Sequence, residues 1–167
     1  IIDKIPAGLT RLDLAGSFAG SIDPNVFSKF TNITDFNLGR SGGVSFYADG
    51  IHSGTPLPNI HDTCTTYTAY GNSFHSIASS SGDNKNIKEL PNLAYLHLYG
   101  NYYLTDGSFS IASNNINYIN IGSTGLPIPN LAGKTQLQTF QGSYMRSSGG
   151  LFSGNTYKFN NCTALET

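Results

Sequence analysis

The sequence predicts a solenoid: stacked units, each lending one short strand to a parallel β-sheet on the concave face, joined by irregular or 3₁₀ return segments with few or no long α-helices. Three observations carry this. First, the stretch Leu93-Ala94-Tyr95-Leu96-His97-Leu98-Tyr99-Gly100-Asn101 has apolar side chains at its first, fourth and sixth positions and Asn at its ninth. Second, versions of this pattern start at Leu9, Ile33, Cys64, Leu93, Ile116, Leu137 and Cys162, giving spacings of 24, 31, 29, 23, 21 and 25 residues. Repeats of roughly 20–50 residues mark a stacked architecture. Third, no intervening segment sustains a helical period, which favours short turns.

Taken in order, the strand units fall near 9–17, 33–41, 64–72, 93–101, 116–124, 137–145 and 162–167, all within one domain. Within each unit, positions three to seven alternate as a strand does, so the fourth and sixth point inward and the third, fifth and seventh outward. A single strand cannot bury its apolar side alone, but neighbours stacked about 4.8 Å apart can. The third unit, Cys64 to Asn72, is degenerate but shares Tyr-Gly-Asn with the fourth. Asn at 32, 92, 115 and 161 and Gln136 precede first positions, where an amide can bond the turn entering the strand. The ninth position is imperfect: Ser17, Ser41, Asn72, Asn101, Thr124 and Met145.

Between the strands, Val26, Phe27 and Phe30, and later Leu151, Phe152, Tyr157 and Phe159, are candidates to fill the convex side of the core. The two long spacings hold insertions at roughly 41–60 and 73–90, rich in Gly, Ser, Asn and Asp and expected to be surface loops. Cys64 and Cys162 both occupy first positions, facing the core. Four units apart, about 19 Å at the strand spacing, they lie beyond the ~7 Å between Cα atoms that a disulfide tolerates. Free thiols acting as small hydrophobes are expected.

The L-x-x-L-x-L-x-x-N stretch at Leu93, with its six companions, resembles the leucine-rich repeat superfamily. The run from Leu9 to Ile22 is similar to the receptor-type variant, although Asp23-Pro24 follows where that variant continues differently. The segment Val26-Phe27-Ser28-Lys29-Phe30-Thr31-Asn32-Ile33 resembles the irregular repeats of bacterial surface proteins, which also occur in phage structural proteins. The resemblance implies a binding or scaffolding role and carries no catalytic residues.

Composition narrows the function classes. Charged residues are 11% of the chain and the net charge is −1, so no basic field exists for nucleic acid and no polybasic patch for a membrane surface. No apolar run approaches the ~18 residues of a membrane-spanning helix. The neutral polar surface suits an extracellular, cell-surface or virion setting. Ile1 in place of Met suggests a segment of a longer polypeptide, and neither end carries the polar cap a solenoid needs. Docking into a larger surface or virion assembly through uncapped ends is therefore expected.

The outward strand positions define the candidate site. Its middle gathers Tyr70, Tyr95, Tyr99 and Tyr118 around His97, flanked by Thr68 and Asn120. A tyrosine ring supplies apolar area and its hydroxyl a polar handle, which suits a protein or a glycan ligand. The competing explanation is cross-strand stacking that only stabilises the sheet. Arg11, Asp13 and Asp35 fit a surface ion pair better than a two-carboxylate hydrolase site. His52, His61, His75 and His97 lack metal-ligand spacing, and no cofactor is implied. Asn-x-Thr sequons at Asn32 and Asn161 coincide with the pre-strand amides. The expected role is non-enzymatic adhesion or display, ahead of a purely structural element and of a polysaccharide-degrading enzyme.

Overall fold

A computed structural model describes residues 2–16, 23–40, 54–143 and 156–165. Six strands form one parallel sheet: β1 (Arg11–Asp13), β2 (Asp35–Asn37), β5 (Thr66–Thr68), β8 (Tyr95–His97), β9 (Tyr118–Asn120) and β10 (Thr139–Gln141). They lie side by side in chain order, and each strand covers positions three to five of its unit. The middle residues Leu12, Phe36, Tyr67, Leu96, Ile119 and Phe140 align as consecutive rungs. Among the described residues the only helices are two 3₁₀ turns, Ile2–Lys4 and Thr156–Phe159. The arrangement is compatible with a sheet-rich solenoid.

Backbone pairing outruns the strands. The position-six N–H of one unit donates to the position-five carbonyl of the next, as in Leu38 to Thr68 at 2.7 Å and Leu98 to Asn120 at 2.7 Å. The position-eight N–H of Gly16, Arg40, Gly71, Gly100 and Ser123 donates to the position-seven carbonyl of the next unit in the same way. Position eight has positive φ at Gly16, Gly71, Gly100 and Ser123, between 54° and 79°. Glycine adopts this conformation without a Cβ penalty; Ser123 does so at a cost.

The ninth position closes each turn. Asn101, fully buried, donates from Nδ2 to the carbonyls of Leu98 (2.7 Å) and Ala69 (2.8 Å), position six of its own and of the preceding unit. Asn72 does the same toward Ala69 and Leu38. Thr124 Oγ1 reaches Ile121 at 2.7 Å. A buried carbonyl without a partner is costly, so an amide that serves two adjacent units ties them together. Lysines add ties across units: Lys29 Nζ to the Ile5 carbonyl (2.8 Å), Lys134 to Ala112 (3.2 Å) and Lys158 to Ile128 (2.7 Å).

The core lies behind the sheet. Phe27 and Phe30 are fully buried, as expected of the convex filling, and Phe27, Phe36 and Tyr67 meet edge to face at 4.9 and 5.2 Å. Burying one such side chain contributes about 1.5–3 kcal/mol. Tyr67, the large residue of the degenerate unit, donates its hydroxyl to the Pro58 carbonyl at 2.9 Å, so the insertion before β5 supplies the acceptor that a dry core lacks.

Some expectations change in detail. The described parts of the insertions, 54–60 and 73–90, are not simple loops. β3 (Pro56–Leu57) pairs in parallel with β6 (Ser76–Ile77), and β4 (Ile60–His61) pairs antiparallel with β7 (Asn84–Lys85). Leu57, Ile60, Phe74 and Ile87 of these segments are buried in the core, so segments whose composition suggested surface contribute apolar side chains to the interior. Among the described residues of the seventh unit, 163–164 form a turn and none is in a strand, and Cys162 is only partly covered. Its Sγ lies 3.0 Å from the Leu131 carbonyl. Of the pre-strand amides, Asn92 does bond the backbone of a turn entering a strand, but the one before β5, at the Asp62 carbonyl. Both thiols are free, as expected. Ser17, Ser41, His52, Met145, Leu151 and Phe152, and the side chain of Tyr157, fall outside the described residues.

Candidate functional site

The parallel register puts like positions of neighbouring units opposite one another, so the outward face is a grid of three rows. In the position-three row Tyr95 on β8 faces Tyr118 on β9. Their rings stack at 4.2 Å with planes 6° apart. A separation close to the ~4.8 Å strand spacing, with parallel planes, means the rings face each other from strand to strand. The other face of Tyr95 therefore looks across β5, where Thr66 is its register partner. Burial, then the neighbouring Tyr118, pushes the Tyr95 hydroxyl up to about 12. It stays protonated and able to donate.

In the position-five row, His97 is half-buried, and burial holds its pKa below the ordinary imidazole value. The neutral ring stands edge-on to Tyr118 (6.2 Å) and Tyr95 (6.4 Å) and stacks on Tyr70 (4.9 Å, 21°). Its Nε2 is 3.4 Å from the Asn120 amide nitrogen. Asn120 Nδ2 also donates to Gln141 Oε1 at 2.7 Å, and Tyr118 donates to the same oxygen at 3.2 Å. Asn120 Oδ1 accepts the Gly122 N–H. Its amide is thus engaged inside the protein, and its part is to position the neighbours.

A local rule sets the position-seven row. Where position five is Asp or Asn, its side-chain oxygen accepts the N–H two residues on: Asp13 from Ala15, Asn37 from Gly39, Asn120 from Gly122. Such Asx turns accompany a small residue at position seven. Where position five is Thr68 or His97, position seven is Tyr70 or Tyr99. These rings lie over the small residues of the units beside them. A Cβ on Gly39 would lie 2.3 Å from the Tyr70 ring, and one on Gly122 would lie 3.2 Å from Tyr99.

The structure therefore joins Tyr70, Tyr95, His97, Tyr118 and Asn120 in one contact network, with Thr68 on β5, two residues before Tyr70 in the same unit. Tyr99 stands apart on Gly122, without a ring contact to the others among the described residues. Gln141 belongs to the network and was not foreseen, although its place in the position-five row next to Asn120 was a signal. Beyond the aromatic block, Arg11 lies 3.5 Å from both Asp13 and Asp35, all three substantially exposed. The Ala15 N–H, then Asn37 and Arg11, draw the Asp13 carboxyl below its usual value despite slight burial. His61 Nδ1 lies 3.1 Å from Thr63 Oγ1 and 3.2 Å from Asp62 Oδ1, and His75 stacks on Tyr103 at 5.5 Å. No group of three or more potential metal ligands occurs among the described residues, and no helix there is long and apolar enough to cross a membrane. Comparisons with protein-family models, curated proteins and solved structures find no match.

Proposed function

We propose that this protein is a non-enzymatic recognition module of leucine-rich-repeat type, binding a protein or glycan through the concave face of its sheet at a cell or virion surface. The observation that carries this is the network of Tyr70, Tyr95, His97 and Tyr118. Side chains in contact across adjacent strands are held in place before a ligand arrives, so little freedom is lost on binding. Aromatic groups that keep polar atoms at their rims are enriched where binding energy concentrates. The low charge of the chain suits an uncharged ligand rather than a polyanion.

The test is retention of fluorescently labelled protein on intact cells and on immobilised polysaccharides. Replacing Tyr95, Tyr99 and Tyr118 together by Ala should abolish retention while far-UV circular dichroism is unchanged. Undiminished retention would count against the proposal.

A second reading is a structural element docked by its outermost units. It draws on β10, where Phe140 packs on Phe159 at 5.1 Å and the described residues beyond it form turns. Substitutions at Thr139 and Gln141 that abolish assembly, measured by light scattering, while retention persists would favour it.

A further inference from the structure

The outward grid has one gap. Along the position-three and position-five rows, β5 contributes only Thr66 and Thr68, both partly exposed. On one side stand Asp35 and Asn37 of β2, and on the other Tyr95 and His97 of β8. The Tyr70 ring rests on Gly39 and stacks on His97, so it spans β5 and closes one end. The result is a short trench with a threonine floor, an acidic wall and an aromatic wall. Its rows are two strand spacings apart, about 9.6 Å. Each strand is three residues long, or about 10 Å.

These dimensions select the occupant. An α-helix, about 10–12 Å across, does not fit between the walls. An extended peptide cannot run through a trench closed by Tyr70. One flat ring does fit: at van der Waals distance of about 3.5–4 Å from Tyr95, its substituents on the far side reach hydrogen-bonding distance of Asp35. The polar inventory favours a polyhydroxylated ring. Among the described residues neither threonine hydroxyl has a partner. The Asp35 carboxylate meets Arg11 through Oδ2 at 3.5 Å, a loose contact between exposed groups. Asn37, by contrast, is engaged with Gly39 and Asp13.

We infer that the trench over β5 is a seat for a single neutral pyranose unit, its apolar face on Tyr95 and its hydroxyls on Asp35, Thr66 and Thr68. This rests on the recognition role proposed above and narrows it to carbohydrate. Asp35 accepts from two vicinal hydroxyls, Thr66 and Thr68 donate or accept beneath the ring, and no bond is made or broken.

The experiment is saturation-transfer NMR on the whole chain with methyl glucoside, methyl galactoside, methyl mannoside, N-acetylglucosamine and N-acetyltyrosine amide as probes. At least one sugar should receive saturation, concentrated on the ring protons of one face. Thr66→Trp, which fills the trench, should abolish it. Asp35→Asn should weaken binding by about tenfold or more, the usual effect of losing a hydrogen bond to a charged group. Thr66→Val, which keeps the shape and removes the hydroxyl, guards against misfolding and should weaken binding without abolishing it. Transfer only to N-acetyltyrosine amide, or sugar binding undisturbed by Thr66→Trp, overturns the assignment. If no sugar binds while the triple tyrosine variant still loses surface retention, the pyranose seat is wrong and the recognition role stands. If retention too survives every variant, both fall.

Discussion

Replacing Asn101 by Ala tests the stacking logic of the fold. Asn101 is fully buried, and its amide is the partner of two carbonyls, Leu98 at 2.7 Å and Ala69 at 2.8 Å. Its Oδ1 accepts the Phe74 N–H at a weaker 3.4 Å. Alanine leaves the Leu98 carbonyl without its donor in a dry interior, while the Ala69 carbonyl keeps only the longer bond from Asn72 at 3.2 Å. An orphaned group costs about 1–3 kcal/mol, so with the weakened Ala69 and Phe74 contacts the expected loss is about 2–4 kcal/mol, a large part of the roughly 5–15 kcal/mol that holds a typical domain. With a urea m-value of about 2 kcal/mol/M, the midpoint should fall by about 1–2 M. Asn72→Ala, at a partly exposed site with one short and two longer bonds, should cost about half as much. Equilibrium urea unfolding followed by circular dichroism reads both. A loss below about 1 kcal/mol for Asn101→Ala, or a larger loss for Asn72→Ala, would refute the argument that this side chain ties adjacent units.

Gly39→Ala places a methyl inside the Tyr70 ring. Tyr70 must leave His97, and overpacking costs about 1–3 kcal/mol, visible in thermal melts and in altered His97 ring-proton shifts. Ser123→Gly relieves a left-handed backbone at φ 54° and should stabilise by about 0.5–1 kcal/mol, provided the Ser143 carbonyl keeps its bond to the residue 123 N–H. Because burial lowers the His97 pKa in the folded state, its contribution is complete above the unfolded value of about 6.5. It is lost as pH falls from there through the folded value, so the melting temperature should drop on acidification below about 6.5 and level off once the folded imidazole is also protonated, and less so in His97→Gln. Burial raises the Cys64 thiol to about 12, so native protein at pH 8 should expose to a thiol reagent at most Cys162, and both cysteines only after denaturation.

The strands were legible because their signal is local and repeated. Leu12, Phe36, Tyr67, Leu96, Ile119 and Phe140 sit at the same offset in six units, and a period of two assigns each flanking residue to a face. The site rows followed from the same register, which is why Tyr95, His97 and Tyr118 were foreseen as neighbours. The small sheets were not legible. Two-residue strands such as Pro56–Leu57 carry no period, and their pairing with Ser76–Ile77 accompanies the burial of Leu57, Ile60, Phe74 and Ile87 from segments far apart in sequence. The lean of Tyr70 onto Gly39 was hidden for a related reason: it depends on the size of a residue in the unit before, not on anything in its own unit. The bonds of Asn120 to Gly122 and Gln141 were likewise not readable, since they depend on side-chain placement across strands.

The pairing of β3 with β6 and of β4 with β7 has a mechanical consequence. In a stacked array, neighbouring layers ordinarily grip one another only along their own length. Here two extra clasps join the segment leading into β5 to the one leading out of it, so a tug applied along the stack should peel the outermost layers first and reach these clasped units, with Tyr70 between the clasped segments, last. A molecule held under shear would keep its grip while its periphery frays.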